Sequence, residues 1–417
     1  MKFHRSLLAL AAFAAMSVPA FAPALPAEAP PETPEFKVIK EEVLTEMRSV
    51  IDRFAFVPGA DFDVLEQRLA SRQSALDEAT DPSSFVRVVN NALQEFGFSH
   101  ITLFSPVDTE RRNTGRMVGI GIRIQLEDDG IRVMHVFPEA PAARGGLLPG
   151  DLIFEADGRP VRTSSDLAGE ENSEVTIRYR RDGREMTATL KRERFSTVIP
   201  ESIRWINPET ALVTIPTFDT GYDRDNVTRV MKEAKDAKHI ILDLRSNGGG
   251  AVINLMHLAG YFMPRTHNLG TFVDRRMYDG FRRAHEDIQN PTLTQIAEWT
   301  TTRLPFQVQT DANRVKGKVV VLIDGGTGSA SEMLAASLRD QMQCKLIGSR
   351  SAGAVLASLI RPMKHGYAIQ FPITDYVTPG GYRIEGNGLK PDIEADPIIR
   401  YNEPDRAIMA ALAELGV

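Results

Sequence analysis

The sequence predicts an α/β protein preceded by a helical segment and a small all-β module, and three observations carry that reading. Two continuous apolar runs, HIILDL (239–244) and VVVLI (319–323), each end in a glycine-lined turn and then a helix-like segment. That is the pattern of parallel strands buried on both faces. Between 117 and 193 the chain breaks instead into short alternating runs separated by turn residues, which read as strands of a small β module. Before them, residues 36–104 repeat their apolar positions at helical spacing, with Asp61 and Asp81 placed as caps.

Taken in order, the chain opens with a basic start (Lys2, Arg5), an apolar stretch and small residues at 20, 22 and 24. This reads as a secretory signal peptide over 1–24, too short in its apolar part to span a bilayer. A Pro/Ala/Glu linker over 25–35 follows. The expected location is therefore periplasmic or exported, with no stable membrane span. The single cysteine, Cys344, begins an apolar run and is expected to be a buried thiol. A net charge of −6 without a concentrated basic patch argues against nucleic acid as partner. Composition is that of a globular chain, 42% hydrophobic and 25% charged over 417 residues, enough for two or three domains. The domains expected are helical (36–104), β (105–195) and α/β (196–417), with 275–315 as a polar insertion over the site.

The chemistry concentrates at the two glycine turns. Ser329 sits where the second apolar run turns into a helix, so its hydroxyl is exposed in the positive end of a helix dipole beside free backbone N–H groups. Ser329-Ala330-Ser331-Glu332 is also an S-x-x-E capping box, a common way to begin any helix. The second turn, SNGGG (246–250), suggests that both loops build one site. GxxxxGK[ST] and GxGxxG spacings are absent, which argues against nucleotide binding. No HExxH or paired-cysteine motif supports a metal, and no cofactor is expected.

Two resemblances add to this. PEAPAARGGLLPGD, with GLLPGD at 146–151, resembles a bacterial PDZ domain. That resemblance implies a carboxylate-binding loop at Val118, Gly119, Ile120 and Gly121, capturing a peptide C-terminus that adds as a strand. The segment RTSSDLAGEENSE is short for the groove-lining second helix. The PDZ pattern, DLRSNGGG (243–250), GTGSASE (326–332), IGSRSAGA (347–354) and TPGGYRIEGNGLKPD (378–392) together resemble the carboxyl-terminal processing, or tail-specific, serine peptidases. The resemblance implies a crotonase/Clp-like α/β peptidase domain, Ser329 as nucleophile, and an oxyanion hole from the N–H groups of Ala330 and of Gly248 or Gly249. Ser331 is the second candidate nucleophile.

The sequence departs from that family at the general base. The positions matching its lysine and glutamine are Ala354 and Ser358. An AGA-type segment there resembles the tricorn core protease and the interphotoreceptor retinoid-binding modules, which implies a glutamate role for Glu385, whereas the tricorn histidine position falls at Thr214. The remaining base candidates are His100, His257, His285 and His365. His100 ranks first because SH-x-x-x-F closes the helical segment, while His257 reads as packed core and His365, like Lys364, as a hairpin tip. Two readings stay open: an exported serine endopeptidase acting on polypeptides or their C-terminal tails, or a degenerate peptidase fold that binds peptides or apolar ligands without cutting. An unassisted serine hydroxyl is a poor nucleophile, so the base decides between them.

Overall fold

The two apolar runs lie side by side in one sheet. In a computed structural model, which describes residues 34–300, 314–397 and 403–417, six strands take the order Ser202–Asn207, Thr210–Thr214, His239–Asp243, Lys318–Ile323, Lys345–Gly348 and Ile393–Glu394. The first pair is antiparallel and every later pair parallel. The expected leader 1–24, and the expected linker up to its last two residues, fall outside the described residues.

Alternation along the central strand explains its unbroken hydrophobicity. Val321 and Ile323 join the core that holds the helix Ala330–Met342, while Val320 and Leu322 face the helix Arg406–Leu415 through Ala407, Ala411 and Leu415. Successive side chains of a strand point to opposite faces, so a strand covered on both sides must be apolar throughout. Because the strands are parallel, their carboxyl ends share one edge. There the connections after Thr214, Asp243, Ile323 and Gly348 gather, the place where open α/β sheets hold ligands.

A second sheet is built on the long strand Ala368–Val377. Thr102–Phe104 and Thr271–Asp274 pair along one edge, and Ala357–Pro362 along the other. The helices Pro34–Phe54, Val64–Ala70, Gln73–Glu78 and Pro82–Gln94 pack onto this sheet. Their core residues Val43, Met47, Phe85 and Leu93 cluster with Tyr367, Ile369 and Phe371. The residues read as a helical domain thus share one core with strands some 270 residues later in the chain. Periodicity reports that a face is buried but not what covers it. The Asp81 cap is present, accepting from the Ser83 and Ser84 amides.

The β module is a sheet in chain order, Ile122–Glu127, Gly130–Val136, Leu152–Ala156, Glu174–Arg181 and Arg184–Lys191. A ribbon of Arg116–Gly119 with Glu193–Ser196 ties it to the rest. Asp151 of the PGD turn is fully buried and satisfied, accepting from the Leu148 amide at 2.8 Å and from Arg181 at 2.7 Å on each oxygen. The short segment noted in the sequence forms only one 3-10 turn, Ser164–Leu167.

The structure differs from expectation in two places. Ser202–Asn207, which the sequence reading did not single out, is an edge strand with half-exposed faces. The polar insertion expected over the site at 275–315 contains the helix Arg275–Ala284, which packs with Leu293–Trp299 against Thr271–Asp274. None of its described residues lines the cleft at the sheet's carboxyl edge. The hairpin expected around His365 is formed by Ala357–Pro362 with Ala368–Val377.

Candidate active site

The cleft at that edge has a volume of about 690 Å³. Its floor is the Ser329 turn. Ser329 adopts φ 52° and ψ −121°, a positive-φ conformation costing a non-glycine residue about 1–3 kcal/mol. The surroundings enforce it. The Ser329 amide donates to the Ala354 carbonyl at 2.7 Å and to Glu332 Oε2 at 3.1 Å. The Glu332 carboxylate, fully buried, also accepts from the amides of Gly353 (2.8 Å) and Ala354 (3.0 Å) and from the Ser351 hydroxyl. Burial pushes its pKa up from the ordinary carboxylate value, opposed by those hydrogen bonds. The S-x-x-E pattern is therefore more than a helix start: Glu332 pins the SAGA loop to the serine turn.

The SNGGG loop is laced to the same turn. Asn247 is buried, its amide donates to the Ile215 carbonyl at 2.7 Å, and its backbone carbonyl accepts from the Gly328 amide at 3.0 Å. The Ser246 amide donates to Asp324 at 2.8 Å, and the Thr327 hydroxyl donates to the Leu244 carbonyl at 2.9 Å. These bonds bring Gly249 against the serine: a Cβ there would stand 2.6 Å from Ser329 Cβ and 2.8 Å from Ala330 N.

Of the expected oxyanion donors, Gly249 is the weaker fit, because its N–H already donates to Asn247 Oδ1 at 2.9 Å. The amides of Gly248 and Ala330 have no hydrogen bond among the described residues, and both residues line the cleft with Ser329. Free N–H groups from two loops beside a serine hydroxyl are what a developing oxyanion requires.

His100 is the only histidine, and no lysine appears, on the cleft wall among the described residues. It too is held at positive φ, 59°. Its Nδ1 lies 2.6 Å from Ser99 Oγ, and Ser99 Oγ donates to Glu385 Oε2 at 2.9 Å. Glu385 is buried, and its oxygens also accept from the amides of Ser99 (2.6 Å) and Val355 (2.8 Å). With the Ser99 hydroxyl donating to Glu385, its oxygen is left to accept from Nδ1–H. That leaves Nε2 as the unprotonated nitrogen. Burial lowers the His100 pKa from 6.5; the Glu385 charge raises it and Arg112 lowers it further. Among the described residues His100 makes no direct hydrogen bond to Ser329, and apo catalytic hydrogen bonds are often long.

The other candidates lie elsewhere. Ser331 is fully buried and does not line the cleft. His257 packs between Tyr222 and Tyr261, its Nδ1 2.9 Å from the Tyr222 hydroxyl, with its pKa lowered to about 4, chiefly by burial. His285 stacks with Phe281 and Trp299. His365 and Lys364 occupy the hairpin tip and pair with Glu42. Thr214 ends its strand outside the cleft wall, whereas Ala354 and Ser358, at the missing lysine and glutamine positions, line it. Cys344 is buried and its thiol is pushed up to about 12 by burial.

Residues 118–121, where a peptide-binding loop is expected, connect the tying ribbon to the start of the β module. Val118 and Gly119 end the tying ribbon, and the Ile120 carbonyl accepts from the Ala142 amide at 2.7 Å. Gly121 has φ 82° with the Ala140 methyl in the position of a missing Cβ. Beyond the loop, Ile122–Glu127 is an edge strand of its sheet. Sequence reasoning did not single out Ser99, Glu332 or Asn247. Ser99 had adjacency to His100 in the SH pair as its signal, and Glu332 its place in the S-x-x-E pattern, which reads as a cap.

Comparisons with known proteins bear on the family and the fold. Residues 209–395 match Peptidase family S41 and residues 118–191 match the PDZ domain. A protein named "Probable CtpA-like serine protease" from Staphylococcus aureus is 26% identical over 294 residues, covering 68% of this chain and 53% of its own length. One of the same name from Staphylococcus epidermidis is 25% identical over 288 residues, covering 67% of this chain and 53% of its own. The chain thus spans about half the length of these relatives. The solved photosystem II D1 C-terminal processing protease matches in fold with a TM-score of 0.53 at 20% identity, covering 91% of this chain and 97% of its own.

Proposed function

Since the chain carries a peptidase family S41 domain together with a PDZ domain, we propose that it is an exported serine endopeptidase that cuts polypeptides, or their C-terminal tails, through an acyl-enzyme on Ser329. The observation that carries this reading is the Glu385–Ser99–His100 hydrogen-bonded chain on the wall of the Ser329 cleft. It supplies the base that the absent lysine would otherwise provide.

In the proposed reaction Ser329 Oγ attacks the scissile carbonyl carbon and its proton passes to His100 Nε2. The oxyanion of the tetrahedral intermediate takes the N–H groups of Gly248 and Ala330. The C–N bond then breaks, His100 returns the proton to the leaving amine, and water, activated by the same nitrogen, releases the acyl group. Ser99 and Glu385 are positioning residues that hold the imidazole in the needed tautomer. An extended substrate is favoured by the strand Ala357–Pro362, which pairs only with Ala368–Val377 among the described strands and whose residues line the cleft. Capture of a tail by residues 118–121 is part of this proposal, supported by the PDZ match, and export is supported by the leader-like sequence at 1–24.

The test is cleavage of casein by the mature chain beside Ser329→Ala and His100→Ala, with fluorophosphonate labelling of the serine as a second readout. Cleavage and labelling by wild type alone support the proposal. Peptide binding without cleavage or labelling moves the protein to the non-hydrolytic reading, and cleavage by Ser329→Ala removes Ser329 as nucleophile. Cell fractionation with N-terminal sequencing tests export and the cut after Ala24.

A further inference from the structure

Arg123 stands out among the arginines. It lies near the start of the PDZ edge strand Ile122–Glu127, immediately after the 118–121 loop, and reaches the wall of the Ser329 cleft. Arg112, from the helix Pro106–Thr114, lies on the same wall. A second recess of about 390 Å³, lined by residues of the β module and of the peptidase domain, shares these two side chains with the cleft.

Several buried arginines are paired within the protein, Arg181 with Asp151, Arg245 with Asp243 and Asp405, and Arg192 with backbone carbonyls, whereas Arg48, half-buried with an unpartnered Nε, lies on the first helix and not on the cleft wall. Arg112 itself is paired with Asp219 at 2.7 Å. Arg123 has no ion pair and no hydrogen bond among the described residues. Its guanidinium lies 5.9 Å from the centre of the Phe137 ring, and burial lowers its pKa. A guanidinium carries five donors and stays charged, and Arg123, half-buried on the cleft wall, meets no protein acceptor among the described residues. A fold that places such a group on a substrate cleft leaves the acceptor to be supplied by the ligand. The planar fork suits a carboxylate held by two parallel N–H bonds.

We propose that Arg123 is a specificity residue of the cleft: it binds a carboxylate of the polypeptide substrate, either an acidic side chain or the free C-terminus, and the recess beside it holds the chain carrying that group. This rests on the reading of the cleft as a peptidase site. It is separate from tail capture by the 118–121 amides, because the guanidinium faces the catalytic cleft.

The test uses the mature chain and three fluorescein-labelled versions of one apolar peptide: free C-terminal acid, C-terminal amide, and the amide with a single internal glutamate. Affinity is read by fluorescence anisotropy on Ser329→Ala, which requires no cleavage, and kcat/KM on the active enzyme. In the Ser329→Ala background, a carboxylate-bearing version is expected to bind about tenfold more tightly than the neutral amide. Arg123→Gln should collapse that ratio towards one, and Arg123→Lys should keep part of it. Taking the ratio within each variant cancels any general loss of folding or activity. Which version gains shows whether the side chain or the terminus is read. Equal ratios with and without the Arg123→Gln substitution overturn the proposal, as does the absence of any preference. If binding shows the Arg123-dependent ratio while no variant cleaves, the peptidase reading fails and the carboxylate subsite stands.

Discussion

Two adjacent glycines of the SNGGG loop should respond very unequally to one added methyl group. At Gly249, φ is 93° and a Cβ would meet Ser329 Cβ at 2.6 Å and Ala330 N and Gly328 O at 2.8 Å. All three belong to the serine turn, whose backbone is fixed by Glu332 and Ala354. Ordinary carbon contacts begin near 3.4 Å, so the loops must part by up to roughly 0.8 Å, the difference between 3.4 and 2.6. The left-handed φ adds about 1–2 kcal/mol. Displacement on the order of 1 Å at a reacting centre costs about 10²-fold, and an oxyanion donor lost with it costs about 10²–10³. At Gly248 a Cβ meets nothing within 4 Å, and alanine retains the N–H. Gly249→Ala is therefore expected to lower kcat/KM on casein, and the rate of fluorophosphonate labelling, at least about 10²-fold. Gly248→Ala should fall at least about tenfold less far. Circular dichroism and thermal melts would establish that both variants fold. Gly249→Ala retaining most of its activity, or the two variants failing alike, would refute the argument that close approach of the loops sets the site.

Other outcomes follow from the charges and hydrogen bonds around the site. His100 acts as base only when neutral, and its pKa lies below 6.5, so kcat/KM should hold as pH falls through 6.5 and decline only below it. Because Arg112 lowers that pKa and Glu385 raises it, Arg112→Gln should move the acid limb up and Glu385→Gln should move it down; limbs that stay put would disconnect His100 from catalysis. Glu332→Ala leaves the amides of Gly353 and Ala354 and the Ser351 hydroxyl without their acceptor, and the Ser329 amide with only the Ala354 carbonyl. At roughly 1–3 kcal/mol for a buried orphan, a loss of about 3 kcal/mol or more is expected by denaturant titration, together with slower serine labelling. His257, held near a pKa of about 4 in the folded chain against 6.5 in the open one, stabilises the fold fully only above 6.5. Its contribution is lost as pH falls towards 4, by at most about 3 kcal/mol; His257→Phe should flatten that acid dependence in melts followed between those limits.

What the sequence made legible is what local pattern records. The strands 239–243 and 318–323 announce themselves because both faces are covered, and the turns after them because Gly249 and Ser329 sit at positive φ beside one another. Ser329 was readable from its place at a strand end opening a helix. The relay was not. Ser99 and Glu385 are 286 positions apart and meet only because Thr102–Phe104 pairs with residues 368–370 on the second sheet, a pairing of three residues with no periodic signal of its own. The same pairing draws the first helices onto the hairpin and makes a single core of segments that are far apart in sequence. Glu332 illustrates a different limit: a cap is a local motif, so its pattern reads as helix initiation and conceals that the same carboxylate holds a loop some twenty positions later. The base follows the same logic. With alanine at the position matching the family lysine, the proton acceptor in the proposed mechanism comes from outside the α/β domain, from the segment that closes the helices. The catalytic proposal is thus also a statement about folding: His100 reaches the cleft only if the N-terminal helices dock on the second sheet. A variant that weakens that docking, such as Phe85→Ala in the shared core, should lose activity ahead of global unfolding while the Ser329 turn remains intact.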